Sequence, residues 1–487
     1  MKFYTFLFLG LALTSLKATA QMEPSAISGS LQVQGILATA HNTPFWMRAN
    51  QFGSVPLPGS SGAVIGAVHI NYDSPRTSLI DWGGSLEVRA DLGQTARATV
   101  IEGYGKLRIG IFEVKLGRIK EVTGLMDTAL SSGAFAISGN ALGIPKLEIS
   151  IPDYYQLPWF NDLFAFKGSF SAGLVGEMPI QYGHRTKSTS TLFQQSSLYV
   201  RLGRPDWSLK LIGGINHSVM WGNEEKVFGP AFNLPAWKSF LYAGIGKTWN
   251  HSKIGNHIGS IDMGLEYDFD EVRLLAYRQN FYDEGAFYHL ANIKDGLMGI
   301  SITNKEDYGE MFHWSKFLVE FFCSKNQAGY PDSKYTNSGD ENYYNNYEYS
   351  EGWSYKGLGL GNPFISTRTS TRAGLPNDTT DFFNNNRVVA FHVGAMGAVS
   401  NWYFTVKLSY SMNYGTFGTD PYGHTTGRLR VPPHFGIWKE VSQLSSFLEV
   451  NRALGSGYSL GCVAALDNGK LLNNSGGFIL KLSRTFN

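Results

Sequence analysis

The sequence predicts an all-β fold, a transmembrane antiparallel β-barrel of about 18 strands with long extracellular loops. Three observations carry that expectation. Hydrophobicity alternates with period two over segments of ~9–11 residues or more, longer than the ~5–6 residues usual in soluble sheets and matched to a bilayer's hydrocarbon thickness. The apolar face of these segments carries aromatics toward its ends, as membrane interfaces favour. After residue 20 no run of 18 apolar residues occurs, so a helical membrane span is not expected. The 487 residues are 43% hydrophobic, 14% aromatic and 16% charged, with net charge +2. This composition excludes disorder and leaves no whole-chain basic footprint for nucleic acid. A mean hydropathy of -0.15 fits a soluble protein or a barrel whose lumen-facing and lipid-facing residues average out.

Taken in order, residues 1–20 read as a signal peptide: Lys2 supplies the charge, Phe3 to Leu13 the apolar stretch, and Ala18-Thr19-Ala20 the small-x-small site. The mature barrel is expected over 21–487. Strands are expected near 29–39, 62–73, 80–92, 95–109, 111–119, 163–177, 192–202, 207–219, 238–250, 256–269, 271–281, 296–303, 314–325, 386–398, 401–414, 439–453, 457–467 and 475–487. The clearest alternations set Leu86, Val88, Ala90 and Leu92 against Ser85, Glu87, Arg89 and Asp91, and Phe404, Val406, Leu408 and Tyr410 against Thr405, Lys407, Ser409 and Ser411. With the amino-terminal end in the periplasm, turns after even-numbered strands are short and the connections near 120–162, 326–385 and 415–438 are extracellular. That parity fails between 178 and 237, where two long connections fall on the wrong side. Gly477 to Asn487 alternates to the end with Phe486 penultimate, resembling the closing strand that barrel-assembly machinery recognises.

No catalytic constellation or metal site emerges, and neither enzymatic activity nor a cofactor is expected. Gly244-Ile245-Gly246-Lys247-Thr248 lacks the first glycine of a phosphate loop, Leu241 standing there. The histidines show no zinc spacing. Cys323 and Cys462 read as small apolar strand residues. Lumen-side charges, among them Glu87, Arg89, Asp91, Glu113, Lys115, Asp262 and Glu266, mix both signs and read as a mutually paired wall.

The segment 330–364 stands apart. It holds Tyr330, Tyr335, Tyr343, Tyr344, Tyr347, Tyr349, Trp353 and Tyr355 among Asn342, Asn345, Asn346 and the acids Asp340, Glu341, Glu348 and Glu351. Flat rings offer apolar area to sugar faces, and amides and carboxylates bond the hydroxyls around them. On this reading Trp353, Tyr355, Tyr343 and Tyr344 are stacking platforms for a polysaccharide, with Asn345, Asn346 and Asp340 as polar partners. The alternative is a loop folded inward that closes the lumen with the same tyrosines, and one loop could do both.

Several stretches, in this order and spacing, resemble a known family. They are Thr43-Pro44-Phe45-Trp46-Met47-Arg48-Ala49-Asn50-Gln51-Phe52-Gly53, Leu130-Ser131-Ser132-Gly133, Ile151-Pro152-Asp153-Tyr154, His217-Ser218-Val219-Met220-Trp221-Gly222, Tyr343-Tyr344-Asn345-Asn346, Gly352-Trp353-Ser354-Tyr355 and Gly361-Asn362-Pro363-Phe364. Together they look like the capsule assembly Wzi family, in its branch common among Bacteroidetes. The resemblance implies an outer-membrane barrel of about eighteen strands with a partly plugged lumen, a lectin of a Gram-negative bacterium that holds exported capsular polysaccharide and helps organise the capsule. Its partners would be that polymer, outer-membrane lipid and, during biogenesis, the assembly machinery, with no nucleic acid. Studied members carry a small helical bundle at the periplasmic mouth, for which Thr43–Gly53 is the only counterpart and is too short. A diffusion channel for oligosaccharides or other small solutes is the competing function, and it requires an open lumen.

Overall fold

The computed structural model describes residues 27–39, 42–72, 78–93, 96–181, 186–283, 285–306, 311–329, 341–426 and 429–486; the expected signal peptide lies outside them. Period-two sequences pair with their neighbours because each segment must satisfy its backbone within the membrane. The result is one closed sheet of strands β1 (Ile27–Ala38), β2 (Ser61–Ile70), β3 (Ile80–Gly93), β4 (Arg97–Ile109), β5 (Phe112–Arg118), β6 (Lys146–Gln156), β7 (Phe164–Pro179), β8 (Ser188–Leu202), β9 (Leu209–Trp221), β10 (Asn256–Asp268), β11 (Val272–Tyr282), β12 (Gly296–Asn304), β13 (Phe312–Cys323), β14 (Val388–Val399), β15 (Trp402–Asn413), β16 (Val441–Gly455), β17 (Tyr458–Gly469) and β18 (Ser475–Phe486). Each strand runs antiparallel to the next. The last closes on the first, from Gly29 opposite Phe486 to Ala38 opposite Gly477, so no edge is left unpaired.

The two faces separate as the alternation requires. On β3, Leu86 and Leu92 are exposed outward, whereas Ser85, Arg89 and Asp91 are buried inward; on β15, Val406, Leu408 and Tyr410 face out while Ser409 and Ser411 face in. One rim has short turns at 110–111, 157–163, 203–208, 269–271, 400–401 and 456–457. Exposed Trp159, Phe160, Trp207, Phe269, Phe312, Trp402, Tyr458 and Phe486 all belong to this rim, an interfacial aromatic girdle. The opposite rim carries the long connections 39–60, 119–145, 222–255, 324–387 and 414–440.

Eighteen strands agrees with expectation, but two segments differ from it and offset each other. Lys146–Gln156, expected within the loop 120–162, is β6. Pro152 and the Tyr154-Tyr155 pair interrupt its alternation, and its pairing with β7 shifts register between Ile151 and Tyr155. The segment 238–250, expected as a strand, is mostly a helix α1 (Ala236–Ile245), introduced by Pro235 and ended by Gly246 at φ +63°. With both corrected, the connections 180–187 and 222–255 follow odd-numbered strands, and the parity conflict between 178 and 237 disappears. The glycines of the phosphate-loop-like sequence thus lie at the carboxyl end of α1, opposite to where a phosphate would bind. Cys323 and Cys462 are both unpaired.

Candidate functional site

The long connections turn inward and fill the long-loop half of the lumen. Residues 119–145 run deepest, held by polar groups of the wall. Ser132 N and Ser131 Oγ each donate to Glu320 at 2.7 Å, and Tyr277 donates to the same carboxylate at 2.6 Å. Leu125 N donates to Asp262 at 2.8 Å, the Leu130 carbonyl lies 2.7 Å from the His392 ring, and Asp127 pairs with Lys316 at 2.8 Å. Other inward charges pair within the wall, as in Arg89–Asp91 and Lys115–Glu113.

Upon this segment sits an aromatic core. Phe135 stacks on Phe281 with centroids 4.1 Å apart and meets Tyr343 and Tyr344 at 5.2 and 5.1 Å. Residues 43–53 join it from the β1–β2 connection: Phe45 stacks on Phe364, and Trp46 donates to Ser409 at 3.1 Å. This stretch contains one short helix only four residues long (Phe45–Arg48), and it enters from the long-loop rim. The plug is therefore built from loops of that rim, with no bundle at the other mouth among the described residues.

The residues predicted to bind sugar occupy the body of this plug. Tyr343, Tyr344 and Trp353 are wholly buried and Tyr355 nearly so. Tyr343 donates to Asp295 at 3.0 Å, and Trp353 Nε1 donates to the Ala136 carbonyl at 2.7 Å. The Tyr344 hydroxyl donates to the Phe135 carbonyl and accepts from Asn362 N at 2.8 Å. A side chain at Gly361 would collide with both that hydroxyl and that carbonyl, so only glycine fits there. Arg118 donates to the Tyr355 hydroxyl at 3.3 Å. Asn345 acts as a backbone mimic, its amide bonding the Phe383 carbonyl and N–H at 2.9 Å each. Asn346 caps a turn through the N–H groups of Glu348 and Tyr349. Asp340, with Tyr330 and Tyr335, lies outside the described residues. Among the described aromatics of 330–364, Tyr347 is the exposed one.

Buried carboxyls add a second feature. Burial, with Glu224 nearby, pushes Glu348 up to about 8; burial, with Asp378 nearby, pushes Asp381 up to about 7, and burial pushes Asp295 up to about 6. Of the 119–145 segment, the sequence singles out only Leu130–Gly133. Its seating on Glu320 and His392 was missed, the signal being a carboxylate and a histidine at inward positions of strands whose other buried residues there, Leu318, Phe322, Val388 and Ala390, are apolar.

Below the plug the lumen opens into a chamber of about 530 Å³, lined by Gln32, Glu87, Lys120, Glu449 and Lys481 among others. Its charges are paired, Lys120–Glu87 at 2.6 Å and Lys481–Glu449 at 2.8 Å.

The model of the family described as capsule assembly protein Wzi matches residues 15–394. The chain belongs to that family. Among solved structures, it is similar to the Escherichia coli outer membrane protein Wzi, described as involved in group 1 capsule assembly and as a carbohydrate-binding β-barrel. That similarity has a TM-score of 0.55 at 13% identity, over 93% of this chain and 83% of that one. Pseudomonas aeruginosa OccK5 aligns with a TM-score of 0.45 and Acinetobacter baumannii OccAB2 with 0.46, each at 10% identity over 94% of this chain and 98% of theirs. No curated protein sequence matches. At such identities the likeness to the Escherichia coli protein shows the shared barrel fold. As a Wzi-family barrel, the chain resides in the outer membrane.

Proposed function

We propose that this Wzi-family protein binds exported capsular polysaccharide and helps attach and organise the capsule at the cell surface, as a lectin without enzymatic activity. The observation that carries the reading is the plug. Connections from one rim fill that half of the lumen with aromatic and amide-rich chain, so the barrel presents a shaped surface instead of a pore. The short-turn rim faces the periplasm and the long-loop rim the exterior. Export by the amino-terminal signal, insertion by the barrel-assembly machinery and lipid around the apolar wall complete its setting.

Within this reading the predicted residues Tyr343, Tyr344, Asn345, Asn346, Trp353 and Tyr355 support the sugar-facing surface from beneath, and Asp340 keeps its expected role as a polar partner. Replacing Trp353 and Tyr355 by Ala weakens polymer binding by letting that surface collapse, at unchanged barrel yield. Binding that survives both replacements removes the loop from the site. For the function as a whole, the gene is deleted and cell-associated polysaccharide is compared with polymer released to the medium. A shift to the medium at constant total synthesis is the expected result; two unchanged pools sink the proposal.

A further inference from the structure

Arg48 ends the short helical turn in the plug, and its environment is unusual for a guanidinium. Its Nε is buried without a hydrogen-bond partner. Among the described residues the side chain has no hydrogen bond or ion pair. The guanidinium lies 6.0 Å from the Phe45 ring and feels the charge of Asp467, but that carboxylate is already engaged: it accepts from Phe45 N at 2.8 Å and from Ser445 at 2.6 Å. A partly buried guanidinium with no hydrogen-bonded counter-ion is costly, and an anionic ligand would relieve that cost.

Arg48 lines a small cleft of about 60 Å³ at the long-loop rim. The same cleft is lined by Asn140, Thr367, Thr369 and Ser370 and by no acidic residue. Thr367 Oγ1 lies 3.0 Å from Thr369 Oγ1 and donates to Ser370 Oγ at 3.2 Å, a chain of hydroxyls whose outer member, Thr369, is exposed. Two exposed cations stand on the flanking chain: Lys356, two residues from Leu358 of the cleft wall, and Arg368, next to Thr369. A cleft this small admits a carboxylate but not a sugar ring, and a guanidinium beside hydroxyl donors is the chemistry that recognises one.

We infer that Arg48 and the Thr367–Ser370 hydroxyls form a subsite for the carboxylate of an acidic sugar, such as a uronic acid unit, presented by a glycan lying across the rim. This rests on the polysaccharide-binding reading and names the class of polymer: an acidic one. The remaining ring would stay outside, over Thr369.

The test uses the purified full-length barrel in detergent, with capsular polysaccharide extracted from the strain that carries the gene. The polymer is used native and after chemical reduction of its carboxyl groups to alcohols, which leaves the backbone intact. Native polymer should bind the wild type about tenfold more tightly than reduced polymer, and Arg48→Met should lose that difference. Thr369→Val, at an exposed position, should lower affinity for native polymer about threefold, and it carries the test if Arg48→Met fails the heat-modifiable gel shift of a folded barrel. Native and reduced polymer binding alike, with both variants matching the wild type, overturns the carboxylate subsite and leaves the polysaccharide reading standing. A wild type that binds neither form overturns both. Bromide located at Arg48 in crystals, with no carboxylate dependence in binding, means that the cleft holds an inorganic ion only, and overturns the glycan assignment.

Discussion

The two halves of the lumen use inward-facing polar side chains for opposite purposes. Toward the long loops, inward residues such as Glu320, Asp262 and His392 bond to loop backbone and hold a dry aromatic mass in place. Toward the short turns, inward residues such as Glu87 and Glu449 bond to lysines and face a chamber. A wall carboxylate therefore does not declare its role by residue type. What differs is whether loop backbone or a lysine side chain comes to meet it. The plugged half has an interior like that of a globular core, so it is sensitive to volume and to charge; the chambered half is solvated and tolerant.

The largest expected effect follows from that difference. Phe135→Ala removes one ring of the stacked pair with Phe281 and opens a cavity in a filled core, at a cost of about 3–5 kcal/mol to the plug. In planar bilayers the variant should conduct more than the wild type, while the barrel's own thermal unfolding stays put. Equal conductance would show that the plug does not depend on this core.

Next comes pH. Glu348 and Asp381 have folded values of about 8 and about 7, above their ordinary 4.5 and 3.8. A raised carboxyl stabilises the folded loop fully below its unfolded value, and that stabilisation is lost as pH rises through the folded value. Protection of the 341–364 amides against hydrogen exchange, corrected for the intrinsic rate, should therefore fall several-fold between about pH 5 and pH 9. Flat protection over that range would contradict the assignment of these groups as neutral acids.

A smaller effect is expected at Asn346, where Ala removes the side-chain acceptor for Glu348 and Tyr349 N–H and costs about 1 kcal/mol, read in the same exchange experiment. The smallest is Lys481→Met in the chamber. Its ion pair with Glu449 is partly solvated and contributes about 0.5 kcal/mol or less, so the melting temperature should not move measurably. A clear drop would mean that the chamber is as tightly built as the plug, and would erase the contrast between the halves.

Much of the wall was legible because alternation is local: Leu86 against Arg89, or Leu408 against Ser409, reads correctly from a few residues. Where local signals conflict, legibility failed. Pro152 and adjacent tyrosines masked β6, and Phe240 with Tyr242 imitated a strand inside α1, although Pro235 before and Gly246 after it were fair helix signals. The loop's aromatic wealth was equally plain, but its direction was not. Tyr343 and Trp353 read alike whether they meet a sugar or a core, and the partners that decide, Asp295, Phe135 and Ala136, lie tens to hundreds of residues away. Arg48 was invisible for the same reason: an arginine after a helical turn says nothing until its lack of a partner is seen.

The distance between plug and anchors also has a consequence for assembly order. Residues 130–132 are held by Glu320, 188 residues further along for Ser132, and by His392, 262 residues beyond Leu130. Their chain neighbours β5 and β6 can pair early, but the seat for the segment between them does not exist until β13 and β14 have joined the growing sheet. Closing so long a loop is slow, and its buried N–H groups have only water as a partner until then. Seating of the plug accordingly cannot precede the joining of β5 and β6 with β13 and β14 in one sheet.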